Sequence, residues 1–205
     1  MNVNMGSERL IALTDGVVAV VITIMVLELK PPHGADLGSL AELWPTFLSF
    51  ALSFIYVAIY WNNHHHFFQL VPHVNGAVMW ANLNLLFWLS LIPFTTAWMD
   101  EHNLSPVPVA LYGASLLCSA LSWYVMQAAI VRTQGADSPL RRALGRDLKG
   151  KLSSLLYLAG IALAFVTPLA SYAMYAGIAA WWLIPDRRME AAVPELAGGR
   201  RDRAR

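Results

Sequence analysis

Long apolar stretches alternate with short polar segments along this chain. A helix that crosses a bilayer needs about 20 mostly apolar residues. The first apolar stretch is too long for the core of a signal peptide, and we interpret it as a retained helix. The fold class predicted is an all-α polytopic membrane protein with six transmembrane helices. The approximate ranges of the six are 9–30, 43–62, 77–99, 107–131, 151–168 and 170–185.

The last two predicted spans share one apolar run, 152–185, which contains no charged residue. One helix of that length would be about 50 Å long, whereas the hydrocarbon core of a bilayer is about 30 Å thick. Proline interrupts helical hydrogen bonding, so Thr167-Pro168 is the predicted break. The run is therefore counted as two spans.

Basic residues are concentrated in two parts of the chain. The loops at 31–42 and 99–106 contain carboxylates but no Lys or Arg. Because basic loops stay on the cytoplasmic side of a membrane, both basic parts are predicted to lie there. Six spans with both termini in the cytoplasm satisfy this condition. The basic residues are Arg132, Arg141, Arg142, Arg146, Lys149 and Lys151 in the fourth loop region, and Arg187, Arg188, Arg200, Arg201, Arg203 and Arg205 after the last span.

Composition agrees with the membrane class. Hydrophobic residues make up 57% of the chain and charged residues only 13%, against about 25% charged in soluble domains. A single cysteine, Cys118, excludes an intrachain disulfide. Residues 1–186 are predicted to form one transmembrane unit in the lipid bilayer, and 187–205 to form a basic, disordered cytoplasmic tail.

Motifs typical of enzymes are absent from the sequence. It has no phosphate-binding glycine loop, metalloprotease helix or nucleophile elbow, and no TVGYG filter. His64, His65 and His66 are consecutive and point about 100° apart on a helix, so they cannot all face one ion. The sequence therefore predicts no enzyme activity, no cofactor, no metal site and no nucleic-acid partner.

Polar residues inside the apolar spans need partners, because an unpaired charge in a membrane is costly. Arg9 and Asp15 lie in the first span. We expect a polar network that ties the first three helices together, and a proton relay is the alternative role for it. The candidate partners at the same depth are Asn62, Asn63, His64, His65, His66, Asn82 and Asn84.

The helical wheel gives the first span two different faces. At about 100° per residue, Gly16, Val20, Thr23 and Leu27 fall within a sector of about 60°. Asp15 lies roughly 110° from the centre of that sector. Periodicity alone leaves open whether the sector is a packing surface or a pore lining.

The first span resembles the first-helix signature of the endolysosomal potassium channel family and its bacterial relatives. That signature begins with Arg-x-x-x-Phe-Ser-Asp, for which this chain has Arg9, Leu13, Thr14 and Asp15. Residues that match at the later expected steps are Ala19, Thr23, Leu27 and Pro32. The stretches YWNNHHHFF and NLNLLFWLSLIPFTTAW also resemble the second and third helices of the family.

The resemblance implies a homotetramer whose central pore is lined by the first helix of each of four subunits. Its ion pathway would run along Gly16, Val20, Thr23 and Leu27, with Val20 at the narrowest point, Thr23 as a hydroxyl layer and Leu27 as a second aliphatic ring. The structural network implied away from the pore consists of Arg9, Thr14, Asp15, Trp61, His64, His65 and Asn82.

The function implied is passive conduction of K⁺, the permeant ion, across the inner membrane of a bacterium. Selectivity would come from hydrophobic constrictions, without a cage of backbone carbonyls. The alternative hypothesis is a small proton-coupled transporter that uses Asp15 and the His64–His66 cluster.

Overall fold

The computed structural model describes residues 5–71, 73–135, 141 and 147–184. The predicted tail at 187–205 and most of the basic loop, including Arg142 and Arg146, lie outside the described residues. Within them the regular secondary structure is helical apart from one antiparallel pair of two-residue strands, β1 (Met5–Gly6) and β2 (His73–Val74). The helices are α1 (Glu8–Leu27), α2 (Leu37–Glu42), α3 (Trp44–Phe68), α4 (Gly76–Ser90), α5 (Ile92–Glu101), α6 (Pro106–Gln134), α7 (Leu148–Ala164) and α8 (Pro168–Leu183).

Four helical segments of the described chain are long and apolar enough to cross a membrane. They are α1, α3, the combined segment of α4 and α5, and α6. Helices α7 and α8 contain 17 and 16 residues and are shorter than these four. The all-α class with several membrane-length helices is therefore confirmed, whereas the count of six spans stays a prediction.

Prolines account for two interruptions in the helices. The predicted third span is divided at Leu91 into α4 and α5, and Pro93 lies in the first turn of α5. Proline has no N–H with which to continue the helical hydrogen bonds, so the division was readable from Pro93 but was not predicted. The predicted break in the last apolar run is found between Ala164 and Pro168.

Helix α3 extends six residues beyond its predicted end at 62 and finishes at Phe68. The extension contains Asn63 and the three histidines, which end the apolar pattern without ending the backbone hydrogen bonds. It places the polar end of α3 beside α1 and α4.

Helix α6 is the centre of the fold and packs against α4, α5, α7 and α8. Small residues allow these helices to approach closely. Tyr175 of α8 is fully buried against Gly113 of α6 and Gly160 of α7. Helix α1 packs against α3, α4 and α5 at the edge of this bundle, which leaves part of its surface uncovered.

Candidate ion pathway

Helix α1 has one buried face and one exposed face. The buried face carries Leu10, Thr14, Val18, Val21 and Met25. Its partners are α3, α4 and α5. All four residues of the predicted ion pathway lie on the opposite side, which is the exposed side within one subunit. They are Gly16, Val20, Thr23 and Leu27.

Exposure on this side follows a regular spacing. The exposed fraction is 55% for Val20 and 76% for Leu27, high values for aliphatic residues. Steps that alternate between four and three residues connect six exposed positions, which we call the open stripe. Its members are Arg9, Leu13, Gly16, Val20, Thr23 and Leu27. Alternating steps of this kind are typical of helices that pack side by side in bundles.

Thr23 supplies the only hydroxyl of the open stripe. Its Oγ1 donates to the carbonyl oxygens of Ala19 at 3.0 Å and Val20 at 2.9 Å. Because the hydroxyl hydrogen is engaged with the backbone, the two lone pairs of Oγ1 are free to face a cation or a water molecule. The other stripe positions beyond Arg9 are apolar or lack a side chain.

A buried chain of hydrogen bonds joins α1, α3 and α4. The amide Nδ2 of Asn82 donates to Thr14 Oγ1 at 2.9 Å, and Thr14 Oγ1 donates to the carbonyl oxygen of Leu10 at 3.0 Å. Asn82 Oδ1 accepts from His64 Nε2 at 3.0 Å. Asn82, Thr14 and His64 are each exposed by 2% or less. This chain fixes the covered face of α1 from two neighbouring helices.

Asp15 turns toward α3 and away from the open stripe. Trp61 Nε1 donates to Asp15 Oδ1 at 2.8 Å, although both residues are exposed within one subunit. The ring of Trp61 stacks on His65 with 6.0 Å between centroids. The amide of Gln69 donates to His65 Nε2 at 3.2 Å. Asp15 and His65 are therefore linked through an indole.

Two residues expected in the polar network lie elsewhere. Arg9 is exposed and makes no hydrogen bond or ion pair with any described residue. It lies six residues before Asp15, which puts the two side chains about 120° apart on the helix and Arg9 on the open stripe. Asn84 also takes another partner, because its amide donates to Ser122 of α6 at 2.7 Å.

The three consecutive histidines have different surroundings. His64 is buried on Asn82, whereas His65 is exposed beside Trp61. Among the described residues, no group of three or more His, Cys, Asp or Glu side chains is close enough to hold a metal ion.

A largely apolar groove of about 810 Å³ runs between α1 and the α4–α5 segment. It adjoins the open stripe on one side. The sequence pattern does not mark Ile24, Phe94 or Trp98 as lining residues of a groove, because exposed and buried apolar residues look alike in a membrane sequence. Residues that line the groove include Leu13, Gly16, Val20, Ile24, Phe94 and Trp98.

Comparison with known proteins identifies the family. The sequence profile of the endosomal/lysosomal potassium channel TMEM175 matches residues 9–93. A potassium channel of Chryseobacterium sp. (strain P1-3) is 47% identical over 191 residues, which cover 93% of this chain and 100% of the relative. The chain belongs to the TMEM175 family. The family inferred from the sequence is thereby confirmed.

Other TMEM175 relatives extend the similarity beyond the first three spans. A potassium channel of Streptomyces collinus is 30% identical over 204 residues and covers 92% of this chain and 98% of the relative. The crystal structure of a lysosomal potassium-selective channel TMEM175 homolog from Chamaesiphon minutus superimposes with a TM-score of 0.74 and 27% identity. That match covers 87% of this chain and 96% of the other, so the TMEM175 fold includes the α6–α8 half as well.

Proposed function

We propose that this protein is a potassium channel that conducts K⁺ passively through a pore lined by α1. The proposal rests on the open stripe, an exposed and mostly apolar row on a membrane-length helix of a TMEM175 family member. The similar proteins of Chryseobacterium and Streptomyces are named potassium channels. An ion pathway along this face accounts for the exposure of the stripe within one subunit.

The pore requires a homotetramer, which is part of the proposal. When identical subunits bind head to tail, one surface of each contacts a different surface of the next. Such an assembly closes into a ring if the rotation between neighbouring subunits divides a full turn evenly. Small residues such as Ala12 and Gly16 permit four helices to come close together around an axis. A Cβ added at Gly16 would meet no heavy atom of its own subunit within 4 Å, so this space is free for a neighbour or an ion.

The orientation in the membrane is also proposed. Arg132, in the last turn of α6, and the basic residues that follow it favour a cytoplasmic position. Six spans then place both termini in the cytoplasm of a bacterial cell, with the start of α1 at the inner mouth of the pore. Leu27 lies near the outer mouth.

Conduction through such a pore depends on partial dehydration. Rings of Val20 and Leu27 offer an ion no replacement for its hydration water, so they gate the pore by dewetting. Thr23, in contrast, offers the ion an oxygen atom. Potassium holds its hydration water less tightly than sodium does. The expected result is moderate preference for K⁺ over Na⁺, because the stripe provides no full cage of oxygens.

The polar contacts of α1 support the pore from behind. The buried chain through Thr14, Asn82 and His64 and the contact from Asp15 to Trp61 lie off the open stripe. We assign them to holding α1 in its subunit, so that the stripe faces the axis. In this assignment Asp15 is not an ion ligand.

The test is ion flux through the full-length protein in liposomes, followed by reversal potentials in mixed K⁺, Na⁺ and Cs⁺. Val20→Asn should increase conductance because a polar ring wets the constriction, and Thr23→Ala should lower the preference for K⁺. Val125→Asn is the matched control, since Val125 of α6 is also 55% exposed but lies off the stripe. Its conductance and selectivity should equal those of the wild type.

Two outcomes would overturn the proposal. Unchanged conductance and selectivity in both stripe variants would show that ions do not pass along this face. Saturable K⁺ flux that stops when the proton gradient is removed would favour the proton-coupled transporter instead.

A further inference from the structure

Arg9 occupies the cytoplasmic end of the open stripe. It precedes Leu13 by four residues and continues the same alternating spacing that connects Gly16, Val20 and Thr23. Its side chain is exposed and has no hydrogen bond or ion pair with the described residues. The buried chain of hydrogen bonds that joins α1 to α3 and α4 runs through Thr14 and does not include the guanidinium of Arg9.

We propose that the four copies of Arg9 form a positive ring at the cytoplasmic mouth and make the K⁺ current inwardly rectifying. A positive ring lowers the local concentration of cations at the mouth it surrounds. Outward current draws its ions from that mouth, so it is reduced more than inward current. This inference rests on the proposed potassium channel and on its proposed orientation.

Acidic residues near Arg9 offset only part of the ring. Glu8 is the preceding residue and points about 100° away around the helix, so its carboxylate lies farther from the axis than the guanidinium and is screened more strongly. Asp15 points off the stripe and accepts the indole hydrogen of Trp61. Arg9 is thus the charged residue of the described chain that lies on the stripe itself.

The opposite mouth has a different charge balance. Lys30 follows Leu27 by three residues, beyond the end of α1 at Leu27. It lines a small groove together with Glu28, Asp100 and Glu101. Three carboxylates to one ammonium make that end net negative, so the two mouths differ in sign and the current becomes asymmetric.

The size of the effect follows from screened electrostatics. Four unit charges at roughly 10 Å from the axis, in water with a Debye length of about 8 Å, lower the local K⁺ concentration about two-fold. The reduction grows at lower ionic strength. It disappears at about 1 M salt, where the Debye length is about 3 Å.

The experiment is single-channel recording from inside-out patches of giant spheroplasts that express the full-length chain. In symmetric KCl of about 0.15 M, outward current should be about half of inward current at equal and opposite voltages. Arg9→Gln should raise outward current about two-fold and leave inward current nearly unchanged. Arg9→Lys keeps the charge and should keep the rectification.

Arg132→Gln serves as the matched control, because Arg132 is an exposed arginine in the last turn of α6 and lies off the stripe. Its current ratio should equal that of the wild type. A conducting Arg9→Gln channel with unchanged rectification would overturn the ring while leaving the potassium channel intact. Absence of K⁺ current in the wild type would instead count against the proposed function.

Salt dependence tests the same inference without a substitution. The ratio of outward to inward current in the wild type should approach one as KCl rises from about 0.05 M to about 1 M. If Arg9→Gln fails to assemble, this measurement still decides the matter, since a ratio independent of salt contradicts an electrostatic ring.

Discussion

Asn82 is the residue whose replacement should most directly loosen the pore helix. Its single amide group joins α4 to Thr14 of α1 and His64 of α3, at 2.9 and 3.0 Å. Leucine has the same number and branching of side-chain heavy atoms, is somewhat bulkier, and provides neither donor nor acceptor. Asn82→Leu therefore keeps the branched shape of the side chain and removes both bonds at once.

The loss of stability in Asn82→Leu depends on which hydrogen bonds Thr14 and His64 retain. Thr14 still donates to the carbonyl oxygen of Leu10 at 3.0 Å, so its hydroxyl hydrogen stays satisfied. His64 is only 2% exposed. Its Nε2 then has no partner, and a buried unsatisfied group costs about 1–3 kcal/mol. Together with the lost bond to Thr14, worth about 1 kcal/mol, the destabilisation expected for Asn82→Leu is about 2–4 kcal/mol.

The assay is thermal unfolding of the purified protein in detergent by tryptophan fluorescence, together with the fraction of tetramer on size-exclusion chromatography. Asn84→Leu is the matched control, because Asn84 is an exposed asparagine of the same helix with one bond, to Ser122. Ser122 is itself only 2% exposed and loses this bond, so the control should cost about 1–2 kcal/mol, less than Asn82→Leu. Both variants should retain the ion preference of the wild type.

A double variant sharpens the test. Asn82→Leu with His64→Phe removes the orphaned imidazole, and replacing both partners by apolar groups is nearly neutral. The double variant should therefore be more stable than Asn82→Leu alone. Equal stability of Asn82→Leu and the wild type, or no recovery in the double variant, would refute the account given for this chain of bonds.

Three other variants or fusions follow from the same structure. Asp15→Asn keeps a carbonyl acceptor for Trp61, so the variant should lose only about 1 kcal/mol of stability and the yield of tetramer should fall modestly. Reversal potentials should stay unchanged, and an inverted ion preference would make Asp15 a pore ligand. Gly113→Ala places a methyl group against the hydroxyl and ring of Tyr175. It should lower the free energy of unfolding by about 1–3 kcal/mol and the unfolding temperature with it. That hydroxyl has no hydrogen-bond partner among the described residues, so Tyr175→Phe removes the nearest clashing atom without breaking a bond. The ring carbon beside it remains, so the double variant should recover only part of the lost stability, and a double variant less stable than Gly113→Ala alone would contradict a steric cause. A reporter fused after Arg205 should read as cytoplasmic, and an external reading would contradict six spans.

The sequence by itself determined the helical class and the relative positions of residues along α1. Apolar stretches of spanning length and the sparse charges follow from the need to satisfy backbone groups inside lipid. The helical period places Gly16, Val20, Thr23 and Leu27 on one side whatever surrounds them. The resemblance to the TMEM175 family was also readable, because it depends on residue types at fixed spacing.

The tertiary structure alone decided which side of α1 its neighbours cover. A wheel gives angles between side chains, but α3, α4 and α5 determine which of those angles are buried. Their packing left Arg9 exposed and without a partner among the described residues, although its charge had suggested a place in the polar network. The same packing places the amide of Asn84 within hydrogen-bond distance of Ser122 of α6. Such partners belong to different helices, so their distance depends on how the helices pack and not on their spacing in the sequence.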